Sequence, residues 1–177
     1  LGVDLAQLVF APTLSYRFVP GHSLGVAPLI AYQRFKAYGL DAFKAISSDP
    51  DNVTNRGYDD AWGAGLRIGY YGRITPAFAV GAAYATKIDM QQFDKYRGLF
   101  AEQGDFDIPE NYGFGVAFAA TSKLTIAADY MRINYSGVPS VGNQSNVQAP
   151  LGSSNGPGFG WTDVDVWRVG LEYKHDN

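Results

Sequence analysis

The sequence predicts an all-β protein, an antiparallel transmembrane β-barrel segment, and three observations predict it. Apolar residues recur at every second position. The stretches that do so run ten residues or more, and the connections between them alternate strictly between short and long. Period-two alternation marks a strand with two unlike faces. A soluble sandwich would turn the apolar face into a core, whereas a membrane barrel turns it to lipid and the small or polar face to a lumen. Stretches of ten residues exceed the five or six usual in globular sheets and match the ~9–11 residues that cross a bilayer at a tilt.

About seven strands follow, at residues 6–19, 23–38, 60–74, 77–90, 111–120, 123–135 and 163–175. In the first, Leu8, Phe10, Leu14, Tyr16 and Phe18 oppose Thr13, Ser15 and Arg17. In the second, Leu24, Val26, Ile30 and Tyr32 oppose Ser23, Gly25 and Gln33. The third sets Trp62, Leu66, Ile68 and Tyr70 against Gly63, Gly65, Arg67 and Arg73; the fourth sets Phe78, Val80, Tyr84 and Ile88 against Gly81, Lys87 and Asp89. Tyr112, Phe114, Val116 and Phe118 oppose Asn111, Gly113 and Gly115 in the fifth, and Leu124, Ile126 and Tyr130 oppose Thr125 and Asp129 in the sixth. The last places Trp167, Val169, Leu171 and Tyr173 opposite Arg168, Glu172 and Lys174. A barrel therefore turns Leu66, Ile68, Val80, Phe114, Val116, Ile126 and Val169 outward, and Arg67, Lys87, Asp129, Arg168 and Glu172 toward the lumen. Tyr and Trp near the strand ends suit an interfacial girdle. Pro12 and Pro28 remove ladder donors and belong at bulges or kinks.

Loop lengths separate the two β architectures. Val19-Pro20-Gly21-His22, Thr75-Pro76 and Thr121-Ser122 are tight turns, while residues 40–59, 91–110 and 136–162 are long loops. Short turns on one side and long loops on the other are the pattern of outer-membrane barrels; a sandwich keeps most of its loops short.

Composition agrees. The chain has 177 residues, no Cys, twelve Tyr, eleven Phe and 21 Gly, a mixture rich in strand formers. Its formal charge is −3 with no basic block, which gives nucleic acid no electrostatic footing. No apolar run approaches the ~18 residues of a membrane helix, and the mean hydropathy of −0.13 suits strands that hide their hydrophobicity in alternate positions. The start at Leu1-Gly2-Val3-Asp4 lacks the basic and apolar regions of a signal peptide, so that segment has been removed or the chain is internal to something longer.

Catalytic and cofactor chemistry finds little support. His22 and His175 are the only histidines and both fall near turns or ends, leaving no base for a nucleophile triad. The glycine-rich stretches 63–69 and 156–160 precede no helix that would make a phosphate loop. Asp49, Asp51, Asn52, Asp59 and Asp60 lie in one loop, but their spacing does not fit a calcium-binding EF loop; a solvated extracellular loop accounts for them. No enzyme activity, metal or cofactor is expected.

Several segments resemble the FadL/TodX family of outer-membrane transporters for long-chain fatty acids and other hydrophobic compounds: LAQLVFAPTLSYRF, WGAGLRIGYYGRITPAFAVGAAYATK, GDFDIPENYGFGVAFAATSKLTIAADYMRINYS and LGSSNGPGFGWTDVDVWRVGLEY. The resemblance implies a bacterial outer-membrane location and a fourteen-stranded barrel with an N-terminal hatch in its lumen. Residues 1–177 then form a single barrel segment, about half of the whole, with the hatch and the closing C-terminal strands absent from this chain. Open sheet edges in hydrocarbon leave unpaired backbone groups, so missing segments or another chain must complete the sheet.

Two functions are weighed: a channel for uptake of long-chain fatty acids or similar hydrophobic molecules, and a general diffusion or structural porin-like barrel. The loops discriminate. Leu40, Phe43 and Ile46 recur at helical spacing in one loop, and Phe93, Tyr96, Leu99 and Phe100 do so in the next. Such apolar stripes on short helices imply packing together or binding something greasy, and facing each other they would make one groove for an acyl chain. On the lumen side, Arg67 and Lys87 form a basic pair suited to a carboxylate, unless acidic neighbours such as Asp89, Asp129 or Glu172 engage them. Membrane lipid and a hydrophobic ligand are the expected partners.

Overall fold

Seven spans hydrogen-bond in succession into one antiparallel sheet in the computed structural model, which describes residues 1–175. β1 (Gly2–Phe10) and β2 (Leu14–Val19) both pair with β3 (His22–Tyr38) and are one span with a break. β4 (Asp59–Thr75) pairs with β3 on one side, and with β5 (Phe78–Ala85) and β6 (Asp89–Met90), again one broken span, on the other. β7 (Asn111–Ala119), β8 (Leu124–Ile133) and β9 (Val164–Tyr173) complete the order. The first and last spans do not pair among the described residues. The sheet is an open half-barrel.

The first break has a cause in the sequence. Phe10 pairs with Ile30 and Leu14 with Val26, so Ala11-Pro12-Thr13 lies opposite Ala27-Pro28-Leu29. Neither proline can donate to a ladder, and placing both in one gap confines the loss to a single stretch of wall. The second break, Thr86 to Ile88, changes the register. Tyr84 pairs with Ile68 on the apolar face, whereas Met90 pairs with Gly63 on the opposite one. This corrects the simple alternation expected over residues 77–90. Ile88 is turned inward at 3% exposure, and Asp89 pairs with Ala64 and stays exposed.

The two faces otherwise separate as the alternation requires. Leu66, Ile68, Phe114, Val116, Ile126 and Val169 are exposed on the outer face, an apolar band that a bilayer would cover. Arg67, Asp129, Arg168 and Glu172 occupy the inner one, where Arg168 Nη1 lies 3.4 Å from Asp129 Oδ1. Along β3 the inner side is identified by what covers it: Ala27, Leu29, Ala31, Gln33, Phe35 and Ala37 are all buried. A girdle runs round the outer rim at the long-loop end. There the hydroxyl of Tyr32 donates to Asp60 (2.6 Å), Tyr58 to Asp4 (2.6 Å), Tyr84 to Glu110 (2.8 Å) and Tyr130 to Asp165 (2.6 Å). Each ring can lie at the apolar level while its hydroxyl meets a carboxylate above, the arrangement amphipathic rings favour at a membrane interface.

Candidate functional site

Three long connections, residues 39–58, 91–110 and 134–163, leave the same end of the sheet and fold over the lumen mouth as one cap. Their helical content is slight. The 3₁₀ segment Asp41–Ile46, a 3₁₀ turn at Asp94–Tyr96, α1 (Ala101–Gly104) and α2 (Pro139–Gly142) are the main pieces. The stripe at residues 93–100 was expected on one short helix. It is instead carried by a 3₁₀ turn and then an irregular turn, with Glu102 (φ 54°) and Gln103 (φ 60°) left-handed.

Polar ties lock the three loops together. Arg97 Nε meets Asp49 Oδ2 at 2.5 Å and holds that carboxyl below the usual carboxylate range. The Ser47 hydroxyl donates to Gly98 O at 2.6 Å, and the Gly98 amide donates to Asn52 O at 3.0 Å. The third loop joins through Leu151 N to Ile46 O (2.9 Å) and Gln103 N to Gly152 O (2.9 Å), while the Ser140 hydroxyl donates to Asp105 O. Backbones this close demand glycine. A Cβ on Gly98 would lie 2.0 Å from Asp49 O.

Beneath the ties lies an aromatic ladder. Phe35 projects inward from β3 and meets Tyr96 and Phe100 edge-on, each with ring centres 4.8 Å away, and Phe93 at 5.7 Å. Phe100 continues to Phe106 (4.8 Å), and Phe106 to Phe159 (6.5 Å), which is exposed beside Trp161. An unbroken row of rings thus leads from exposed Phe159 in the third loop to Phe35 on the barrel wall. The Tyr96 hydroxyl anchors it, donating to Gly57 O (2.6 Å) and accepting from Ala37 N (3.0 Å).

A charged latch fastens the cap to the second break in the wall. Ile88 and Ile108 exchange backbone hydrogen bonds of 2.9 and 3.2 Å. The buried Asp107 carboxylate accepts from Met90 N at 2.7 Å and pairs with Lys87, which also reaches Asp89 at 3.2 Å. Next to it Asp105 is buried with Oδ2 unpartnered. Burial, reinforced by the neighbouring Asp107 charge, pushes its pKa up to about 7.

The residues expected to bind ligand are divided by this geometry. Phe93, Tyr96 and Phe100 are in the buried cluster, with Leu40 and Leu99 partly buried against it. Phe43 and Ile46 stay at the surface, 43% and 56% exposed, so the two stripes do not form one open groove. Arg67 lines a recess of about 420 Å³ in the inner wall, floored by Gly81, Ala83, Gly113 and Gly115 and edged by Asn111 and Asp129. Lys87 does not line it and is engaged in the latch. Sequence reasoning passed over Phe35, Phe106, Asp105 and Asp107. The one aromatic ring on the inner face of β3, at Phe35, was a usable signal; the carboxylates gave none.

The sequence matches no protein-family model and no curated protein. Solved structures match along nearly the whole chain. The Ralstonia pickettii toluene transporter TbuX is 18% identical with a TM-score of 0.64, over 99% of this chain and 53% of its own. The Pseudomonas putida toluene transporter TodX is 18% identical with a TM-score of 0.67, at 99% and 53% coverage. A Pseudomonas aeruginosa FadL homologue is 16% identical with a TM-score of 0.67, at 99% and 48%. The chain spans about half the length of these structures and has the fold of the corresponding part of a FadL-type barrel.

Proposed function

We propose that this segment forms the wall and mouth of an outer-membrane channel for hydrophobic small molecules, long-chain fatty acids among them. The observation that carries this reading is the row of rings from exposed Phe159 through Phe106 and Phe100 to Phe35 on the wall. A water-filled pore has no use for an aromatic path across its mouth, whereas a greasy solute crosses it at a gain of roughly 0.8 kcal/mol per buried methylene. Leu40, Phe43 and Ile46 offer the first landing patch, and the buried rings of Phe93, Tyr96 and Phe100 with Leu99 receive the chain as the cap yields. The similar structures of two toluene transporters support a hydrophobic permeant of some kind.

In the inner-wall recess, Arg67 has a guanidinium with no ion-pair partner among the described residues, as a carboxylate head requires; Lys87, already held by Asp89 and Asp107, is second to it. The polar inner wall, with Arg67 and the Arg168–Asp129 pair, is the one feature that favours a general diffusion porin. Liposome uptake by the natural full-length protein decides between them. A hydrophobic-compound channel passes dodecanoate and excludes a sugar of similar mass, while a porin passes the sugar. Arg67→Gln is expected to weaken dodecanoate binding several-fold and to leave its methyl ester nearly unchanged. Equal losses for both would remove the carboxylate role.

A further inference from the structure

One buried side chain of the wall has both a donor and an acceptor without a partner. Gln33 stands on the inner face of β3, between inward-facing Ala31 and Phe35, opposite Gln7 on β1 and Ala61 on β4. It is 1% exposed, and neither its Oε1 nor its Nε2 has a hydrogen-bond partner. Ala31, Phe35 and Ala61 belong to the same buried cluster as the cap residues Phe93, Tyr96 and Phe100. Gln7 is exposed at the sheet edge, and no hydrogen bond joins the two amides. The sealed cap therefore leaves both a donor and an acceptor unsatisfied, at a cost of roughly 1–3 kcal/mol. Buried amides are almost always paired.

We infer that Gln33 is a hydrogen-bonding station for the head of the permeant, assisted by Gln7 across the strand pair. This rests on the channel reading above and deepens it. The carboxamide presents one acceptor oxygen and two N–H donors. Its complement is an uncharged group with one O–H donor and an acceptor oxygen, so the favoured class is an alcohol or protonated carboxylic acid on an apolar body. A plain hydrocarbon leaves the amide as unsatisfied as the closed cap does. A ligand head that reaches Gln33 satisfies a group that closure cannot, and so favours the yielded cap over the sealed one; a ligand shifts an equilibrium by that difference in interaction. Gln33 thus makes the wall selective for amphiphiles while Phe35 and the loop rings take the tail.

The test compares decan-1-ol with decane on the natural full-length protein, wild type against Gln33→Leu and, as a variant of nearly equal volume, Gln33→Met. Heat-modifiability on gels reports barrel folding. Wild type is expected to bind decan-1-ol more tightly than decane. Both variants are expected to lose roughly tenfold in decan-1-ol affinity, leave decane unchanged and keep the folded barrel. Equal change for both ligands, or none, overturns the assignment. So does a fall in barrel stability with ligand preference intact, because the partner of Gln33 is then the protein itself. Wild type that binds neither ligand overturns the channel reading, and the station with it.

Discussion

The wall and the cap of this molecule are built on opposite terms. In the wall, outside its two breaks, residues answer to one local rule, the period of two, and their partners are fixed by register: Val80 meets Val116, and Phe118 meets Ile126. In the cap hardly any residue answers to its neighbours in sequence. Gly98 meets Asp49, Ile46 meets Leu151, and Ser140 meets Asp105. The wall draws its stability from a repeated backbone ladder, and its apolar outer face suits a bilayer. The cap draws its own from one aromatic cluster and a few polar ties, so the two should fail separately.

Phe35 is the single residue on which that separation turns. It belongs to the wall by backbone and to the cap by contact, touching Phe93, Tyr96 and Phe100. Phe35→Ala should cost the docked cap about 3–5 kcal/mol, seen as rapid trypsin cleavage at Lys95 and Arg97, while heat-modifiability of the barrel persists. Loss of the barrel as well would mean that cap and wall fold as one unit. The converse substitution is Val116→Arg on the outer face of β7. Arginine near the middle of a lipid-facing strand costs about 2–4 kcal/mol. Urea titration in lipid vesicles should show that loss for the wall, with loop cleavage unchanged below the unfolding transition.

The same contrast sets what the sequence could disclose. Alternation fixed seven spans to within a few residues, and Pro12 and Pro28 marked a break whose partners the register later explained. It misled at Ile88 because Thr86, Lys87 and Ile88 lie opposite only Gly65 and Leu66, a one-residue slip that moves every later side chain of the span to the other face. In the cap, Phe93, Tyr96, Leu99 and Phe100 have helical spacing, yet their placement is set by Gly98 and Gly152 pressed against distant backbone and by left-handed Glu102 and Gln103. No local signal encodes those contacts. The latch was equally hidden, since Asp107 matters only because the break in the wall presents Lys87 to it.

A titration sharpens the comparison further. The Asp105 pKa of about 7 in the closed cap stands well above the ordinary 3.8. The closed form then binds more protons than the open one between these values, so its stability falls as pH rises from about 4 to about 7 and levels above that. Loop cleavage by a protease active across this range should accelerate over that interval, and Asp105→Asn should flatten the dependence. The wall, whose folding can be followed by heat-modifiability, should show no matching step. An unchanged profile in the Asn variant would assign the effect to another group.

The smallest expected effect isolates the polar tie between cap and wall. Tyr96 is fully buried, and its hydroxyl bridges two backbone groups, the Ala37 amide near the end of β3 and the Gly57 carbonyl just before β4. Tyr96→Phe keeps the ring against Phe35 and removes only the bridge. The apolar packing survives, so the loss should be about 1 kcal/mol, the net worth of a hydrogen bond, and far short of that for Phe35→Ala. Hydrogen exchange locates it, because the Ala37 amide loses its acceptor while amides in the middle of β3 keep theirs. Faster exchange at Ala37 alone would show that the hydroxyl ties down the wall's last turn-in to the loop. Faster exchange throughout the cap would show that the bridge, rather than the aromatic ladder, holds the cap to the wall.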